Sequence, residues 1–354
     1  MPQPHSGIPN IVLFCLLNGV CATWAGAAWA QDAASTASGA IRESETPGLR
    51  GQLTGSIVTV KPVGGIVAFD LPTLQSREVR PANAGRSAVQ SVSEPDGQGR
   101  VAFVDGNTAD RTYSIRILHD GSEQLLLTGA GDPLWDNAIS PVSLAPAGGR
   151  LAYVAQPPEN ANRKFQALIQ GPLRLWDSAA QSVRDLPATA AGERPSWFPD
   201  GRRLAWVSPA MPGHEPEPVV HVLDTQTGSD TILATGHLPL VSSDGQTVLV
   251  TRGRSFELVL VNVATRAEQK IARAHGMGTP IALFDSRYLL YKGRPTAGAA
   301  TGTTINNSPL VGPKAMLAVK VMDLQTMEFA TLIPLIDPRS SVTAMGHAMT
   351  AAGK

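Results

Sequence analysis

The stretch at residues 194–209 reads RPSWFPDGRRLAWVSP. Residues 196–198 are predicted to form a short strand that ends in the turn Pro199-Asp200-Gly201. Proline presets φ in such a turn, aspartate bonds its own backbone, and glycine takes a positive φ. The apolar run at residues 204–207 predicts a second strand that is buried on both faces. The stretch therefore predicts a β-hairpin.

Weaker copies of this hairpin recur along the chain. Their turns and second strands are VSEPDG with RVAFV (92–97 and 100–104), SLAPAG with RLAYV (143–148 and 150–154), VSSDG with TVLV (241–245 and 247–250) and, most degraded, LFDS with YLLY (283–286 and 288–291). The second strands begin about 40 to 50 residues apart, a period that indicates a propeller, a solenoid or another repeat array.

A second recurring element decides between these architectures. Each repeat continues with an apolar strand, a polar turn and a further strand, and the six polar turns begin at Asp70, Asp120, Asp177, Asp224, Asn262 and Asp323. Each repeat therefore holds four strands, a to d, as propeller blades do. A closed ring removes most exposed sheet edges, whereas a solenoid would need capping repeats. The sequence predicts an all-β, six-bladed β-propeller of four-stranded antiparallel blades.

The string SWFPDGRRLAWVS resembles the repeat of TolB-type β-propellers, in which W-S-P-D-G precedes an apolar strand. The resemblance covers residues 51–345 and is closest at 194–234. One copy has Ala147-Gly148 in place of Asp-Gly, and residues 61–65 contain no such turn. The resemblance implies the fold but no activity, because similar repeats occur in transport proteins, peptidase accessory domains and lyases. TolB also carries an N-terminal α/β domain, for which residues 31–50 are too short, so a bare propeller is expected.

The turn residues of these hairpins are predicted to have a structural role, because they build the turns. They are Asp96, Gly97, Asp200, Gly201, Asp244 and Gly245.

The ends of the chain predict an exported protein. Residues 1–30 are interpreted as a signal peptide, with an apolar run followed by Ala28-Trp29-Ala30 as the cleavage site. We expect a disordered leader at 31–50, the propeller at 51–345 and a flexible tail at 346–354, with a periplasmic or secreted location and no stable membrane span after cleavage. Both cysteines, Cys15 and Cys21, lie within the signal peptide, so the mature chain uses no disulfide or thiol chemistry.

Two further features concern the ring itself. Residues 51–80 supply only three strands, so residues 340–345 are predicted to add the innermost strand of the first blade and to close the ring with the N-terminal strands.

The longest insertions, at 156–171, 208–218 and 292–314, all connect strand b to strand c. These connections and the d–a connections emerge on one side of the ring, here called the long-loop face. Loops on a rigid scaffold are common places for binding residues.

The candidate partner-binding residues lie on that face. They are Trp135, Asp136, Arg163, Lys164, His214, Glu215, His237 and His275. Trp135 beside acidic residues is a candidate anchor for a partner. His237 and His275 are placed in d–a loops near the axis. The favoured interpretation is that they are solvated loop residues, and the alternative is a central metal or acid–base site. His214 and Glu215 lie in a proline-rich stretch, which favours an extended chain over a metal-ligating turn.

The function classes follow from charge and motifs. The chain has 29 basic and 29 acidic residues, which argues against nucleic acid as a partner. It contains no G-x-S-x-G, H-E-x-x-H, C-x-x-C-H or P-loop motif, so no catalytic residue, metal or other cofactor is predicted. The favoured interpretation is a monomeric, non-enzymatic scaffold in the cell envelope that binds a protein or peptide. The alternative is a propeller enzyme, such as a polysaccharide lyase or hydrolase, with a His/acid site on the same face.

Overall fold

The protein forms a ring of six four-stranded antiparallel sheets, as predicted. The computed structural model describes residues 45–61, 64–82, 87–107, 109–131, 138–156, 170–209, 217–253, 256–272, 277–295, 316–337 and 340–349. The predicted signal peptide lies outside these residues. Within them, no helix has the length and apolar character needed to cross a membrane.

Each blade runs from its innermost strand, a, to its outermost strand, d. Blade 1 consists of β24 (Val342–Ala348), β1 (Leu53–Val60), β2 (Ile66–Leu71) and β3 (Gln75–Arg80). Blade 2 consists of β4 (Ser87–Val92), β5 (Val101–Asn107), β6 (Thr112–His119) and β7 (Ser122–Ala130). Blade 3 consists of β8 (Ser143–Leu144), β9 (Arg150–Val154), β10 (Gln170–Asp177) and β11 (Ser182–Ala191). Blade 4 consists of β12 (Ser196–Trp197), β13 (Arg203–Ser208), β14 (Val219–Asp224) and β15 (Asp230–Thr235). Blade 5 consists of β16 (His237–Val241), β17 (Thr247–Arg252), β18 (Glu257–Asn262) and β19 (Glu268–Ile271). Blade 6 consists of β20 (Met277–Phe284), β21 (Tyr288–Gly293), β22 (Leu317–Asp323) and β23 (Phe329–Ile336).

The C-terminal strand closes the ring, as the sequence predicts. β24 pairs with β1 in an antiparallel register from Leu53↔Ala348 to Thr59↔Val342. Val342 and Ala344 are buried in the core between blades 6 and 1. The strand continues to Ala348, three residues beyond the predicted end of the propeller at 345, because Gly346 and His347 still pair with β1. The predicted flexible tail therefore does not begin at 346.

The residues before β1 also differ from the prediction. Glu45 forms an isolated parallel bridge with Phe329, and Pro47–Gln52 is a 3-10 helix. Leu49 of this helix is buried against blade 6, and burial of that side chain orders the segment. The predicted disordered leader thus does not extend through residues 45–50, and its earlier part lies outside the described residues.

Apolar side chains fill the spaces between adjacent blades. Buried clusters lie at each of the six blade-to-blade contacts, between blades 1 and 2, 2 and 3, 3 and 4, 4 and 5, 5 and 6, and 6 and 1. Trp197 and Trp206 pack in the cluster between blades 3 and 4, and the Trp197 indole donates to the Ser143 carbonyl at 3.1 Å. Trp176 packs in the cluster between blades 2 and 3. The tryptophans therefore hold neighbouring blades together.

The a–b turns of blades 2, 4 and 5 are each built around an aspartate. The Asp200 Oδ1 accepts hydrogen bonds from the backbone N–H groups of Arg202 and Arg203, each at 2.9 Å. Asp96 and Asp244 accept backbone N–H groups in the same way. Positive φ occurs at Gly201 and Gly245, with values of 61° and 69°. In blade 2 it falls on Gly99 rather than on Gly97, because the chain there closes the turn from Asp96 to Arg100.

These turns also contact one another around the side of the ring opposite the long-loop face, here called the turn face. The Gly97 N–H donates to the Pro146 carbonyl in the next turn at 2.9 Å. Ser243 donates to the Asp285 carboxylate of the following blade at 2.7 Å, and Asp285 in turn accepts the Ala348 N–H of β24. The repeated motif therefore joins adjacent blades as well as turning the chain.

Candidate binding site in the central channel

The six innermost strands surround a central channel, and Arg194 reaches across one side of it. Arg194 lies in the short connection between β11 and β12. Its guanidinium donates to the Glu94 carboxylate at 3.2 Å and to the Val92 carbonyl at 2.8 Å. Ser143 donates to the other Glu94 oxygen at 3.3 Å. Since these residues belong to blades 4, 2 and 3, one polar network links three successive blades.

Lys292 of blade 6 is a second cation near Arg194. It lies in β21 of blade 6, and its Nζ donates to the Ser340 carbonyl just before β24 at 2.6 Å. Burial, together with the positive charge of Arg194, lowers the pKa of Lys292 to about 8, while Asp337 acts in the opposite direction. Lys292 and Arg194 are therefore close enough for their charges to interact.

Blades 4 and 5 meet at a carboxylate–histidine pair. The Nδ1 atom of His237 is 2.7 Å from Glu193 Oε1, and the Leu238 N–H donates to the second Glu193 oxygen at 2.5 Å. The hydrogen bond from Glu193 raises the pKa of His237; burial opposes this shift, and the charges of Glu193 and Glu217 add to it. This pair places a histidine that favours its charged form next to Glu193, the residue that precedes Arg194.

The backbone at this pair is strained. Leu238 has a φ of 49°, which side chains with a Cβ seldom adopt, and the pairing of β16 with β17 shifts register between His237 and Leu240. Only Gly236 connects β15 to β16. A strained residue persists where its surroundings fix it, and here the Glu193 carboxylate holds both Leu238 and His237.

The channel residues offer fixed polar groups of both charges. Arg194 and Lys292 are cationic, Glu94 and Glu193 are anionic, and the Ser340 carbonyl is held by Lys292. Such a lining suits the backbone and charged side chains of an extended peptide better than an apolar ligand. Within the described ranges, no group of three or more His, Cys, Asp or Glu side chains could hold a metal ion.

Among the predicted partner-binding residues, the structure describes His237. It is the first residue of β16, not part of a d–a loop, because Gly236 alone forms that connection. The other seven lie outside the described residues: Trp135, Asp136, Arg163, Lys164, His214, Glu215 and His275.

A second concavity lies between blades 2 and 3. This cleft has a volume of about 650 Å³ and is lined by Tyr113, Tyr153, Gln156 and the Arg174–Asp185 ion pair, among others. In that pair, Arg174 Nε lies 2.9 Å from Asp185 Oδ1. Gln156 is the last described residue before the segment that carries Arg163 and Lys164.

Sequence reasoning missed Glu94, Glu193, Arg194 and Lys292. Glu193 and Arg194 directly precede the strongest repeat, in the connection that leads from an outer strand back to the axis. Aligning all d–a connections and listing their charged residues would have found these two. Lys292 and Glu94 carry no such signal, since one lies in a b strand and the other follows an a strand.

Comparison with solved structures supports the fold. The chain resembles TolB from Acinetobacter baumannii with a TM-score of 0.58 and 14% identity, over 82% of this chain and 66% of that one. It therefore spans slightly less than two thirds of that TolB chain. The fold is that of a TolB-like propeller.

Other solved structures share the same fold. A protein designated as a TolB from Agrobacterium tumefaciens matches with a TM-score of 0.50 and 14% identity, over 85% of this chain and 100% of that one. Oligogalacturonate lyase from Vibrio parahaemolyticus matches with a TM-score of 0.50 and 12% identity, over 70% and 72% of the two chains. No protein-family model and no curated sequence matches the chain. At these identities the TolB-like propeller is shared as a fold.

Proposed function

We propose that this chain is an exported binding propeller of the cell envelope, which holds an extended segment of a partner protein at the channel mouth on the long-loop face. The observation that carries this proposal is that Arg194 and Lys292 lie close enough for their charges to interact, while Glu193, which precedes Arg194 in the chain, binds His237 of blade 5. The likeness to TolB structures supports the propeller fold on which this proposal is built.

The chemistry of the lining defines the partner. An extended peptide presents backbone N–H and C=O groups along its length. Paired carboxylates and cations of the lining can bind these groups and also the charged side chains of the peptide. Because Lys292 has a lowered pKa of about 8, its charge is reduced at alkaline pH. A partner segment with acidic side chains should therefore bind less tightly as the pH rises above that value.

Site-specific photo-crosslinking tests the proposal. A photoreactive residue replaces Arg294, an exposed residue two positions after Lys292, and a matched variant carries it at Arg202, an exposed residue in an a–b turn. With an envelope extract, the substitution at Arg294 is expected to give a discrete adduct with one partner, and that at Arg202 none. Equal adducts from both positions, or none from Arg294, would refute the proposed binding face.

Export is the other part of the proposal, and it rests on the predicted signal peptide. The mature chain isolated from the envelope fraction is expected to begin at Gln31, as measured by intact-mass spectrometry. Recovery of a chain that retains residues 1–30 in the membrane fraction would replace export with membrane anchoring.

A further inference from the structure

Blade 4 carries a hydrogen-bonded chain of serine, histidine and aspartate outside the channel. Ser208 Oγ is 3.0 Å from His221 Nε2, and His221 Nδ1 is 2.9 Å from Asp230 Oδ2. The three residues lie on the adjacent strands β13, β14 and β15. A nucleophile within hydrogen-bond reach of a base that a third group orients is the arrangement used by covalent hydrolases.

The proton positions follow from the partners. An ionised Asp230 can only accept, so His221 Nδ1 carries the proton and Nε2 is free to accept the Ser208 hydroxyl. This is the tautomer in which imidazole acts as a base toward serine. The order of these hydrogen bonds, from aspartate to histidine to serine, therefore matches the direction in which a serine nucleophile is activated.

The histidine ring is held on two sides. Trp206 stacks on His221 with ring centroids 4.4 Å apart and an angle of 23° between the planes. The Trp206 indole also donates to Asp230 Oδ1 at 3.1 Å, so both carboxylate oxygens have partners. The side chains of His221 and Asp230 are 16% and 33% exposed, and Ser208 is half-buried at the long-loop end of β13. Ser208 is therefore partly exposed, and the base beside it is held in place.

We propose that Ser208 is an activated nucleophile for carboxylic esters, with His221 as the general base and Asp230 and Trp206 as positioning residues. As Ser208 Oγ bonds to the acyl carbon, its proton passes to His221 Nε2, and the ester C–O bond breaks as that proton passes to the leaving alcohol. Water then attacks the acyl-serine and gives one proton to His221. The acid is released, and Ser208 regains its proton. This activity goes beyond the proposed binding function and does not depend on it.

The residue after the nucleophile limits the substrate class. Pro209 has no backbone N–H, so it cannot stabilise the oxyanion of a tetrahedral intermediate, as the residue after the nucleophile does in many serine hydrolases. The expected substrates are therefore small esters whose leaving alcohol is acidic and departs without strong oxyanion stabilisation.

A serine-directed fluorophosphonate probe and p-nitrophenyl acetate test the proposal on the mature chain. Mass spectrometry should place the probe on Ser208 in the wild type. Ser208→Ala should abolish labelling and ester hydrolysis, whereas Ser229→Ala, at an exposed serine of the same blade, should leave both unchanged. An unlabelled wild type, or a probe attached elsewhere, overturns the proposal even if a variant does not fold.

The positioning role of Asp230 needs a readout other than stability. Asp230→Asn should lower the labelling rate at least tenfold, and Asp230→Glu should restore part of it, because only a carboxylate fixes the required tautomer. If Asp230→Asn changes the melting temperature but not the labelling rate, the three residues form a structural network between strands and the proposal is wrong.

Discussion

At the scale of the residue, Asp200 shows why aspartate recurs in the a–b turns. Its carboxylate accepts two backbone N–H groups and pairs with the Arg203 guanidinium at 2.7 Å. Burial raises the pKa of Asp200, but the bonds from Arg203 and Arg202 outweigh it, so the net pKa lies below its usual value. The residue therefore stabilises the turn in its ionised form.

Asp200→Ala should lower the free energy of unfolding by about 1 kcal/mol at neutral pH, the net value of a typical hydrogen bond. Because the folded-state pKa is lowered, the stabilisation is present above the usual pKa of 3.8 and is lost as the pH falls through the lower folded value. Urea unfolding at pH 7 and pH 3 measures both effects. Loss of partner crosslinking with an unchanged melting temperature would show that Asp200 acts in binding instead.

His237 is predicted to titrate above its usual pKa of 6.5, because Glu193 holds its charged form. The stability from this pair is fully present below that pH and is lost as the pH rises through the raised folded value. NMR titration of the His237 ring gives the midpoint directly, and Glu193→Gln should move it downward. An unchanged midpoint in Glu193→Gln would show that another group sets the histidine charge.

At the scale of the element, the contact between a–b turns explains the repeat better than turn formation alone. A Cβ added at Gly148 would lie 1.7 Å from Arg100 Nη2 and 2.7 Å from Asp96 Oδ2, both in the preceding turn. A Cβ added at Gly228, in the turn between β14 and β15, meets nothing within 4 Å. Both glycines have positive φ, at 67° and 75°.

These two glycines form a matched pair for a stability test. Gly228→Ala should cost about 1–2 kcal/mol, the usual penalty for a Cβ in this backbone region. Gly148→Ala should cost more, because it also displaces the Asp96–Arg100 ion pair. Thermal unfolding of both variants measures the difference. Equal losses of stability would mean that the turns lie side by side without supporting one another.

The elements were more predictable than the site. The Pro-Asp-Gly turns and the closing strand near Val342 follow from local patterns, because turn chemistry and strand alternation depend on neighbouring residues. The bond between Arg194 and Glu94 joins positions 100 residues apart, and its geometry depends on the diameter of the ring. The Ser208–His221–Asp230 hydrogen bonds join three strands, and the pairing of β14 with β15 shifts register between Val220 and His221. Neither feature has a periodic signal in the sequence.

At the scale of the whole molecule, the ring positions every group in the channel. Lys292 donates to the carbonyl of Ser340, which leads into β24, and the Val92 N–H donates to the Ser341 hydroxyl at 3.4 Å. The same C-terminal segment therefore closes the ring and contributes to the channel wall. Stability and partner binding should consequently be lost together when this segment is removed.

Thermal unfolding of two truncated chains tests this account most directly. Ending the chain after Asp337 removes β24 and exposes the β1 edge, so the melting temperature should fall by about 10 °C or more and the protein should self-associate. The partner adduct at position 294 should also disappear. Removing only residues 351–354 should leave the melting temperature and the partner adduct unchanged, and the protein should not self-associate. Equal melting temperatures for the two truncated chains would contradict closure of the ring by the C-terminal strand.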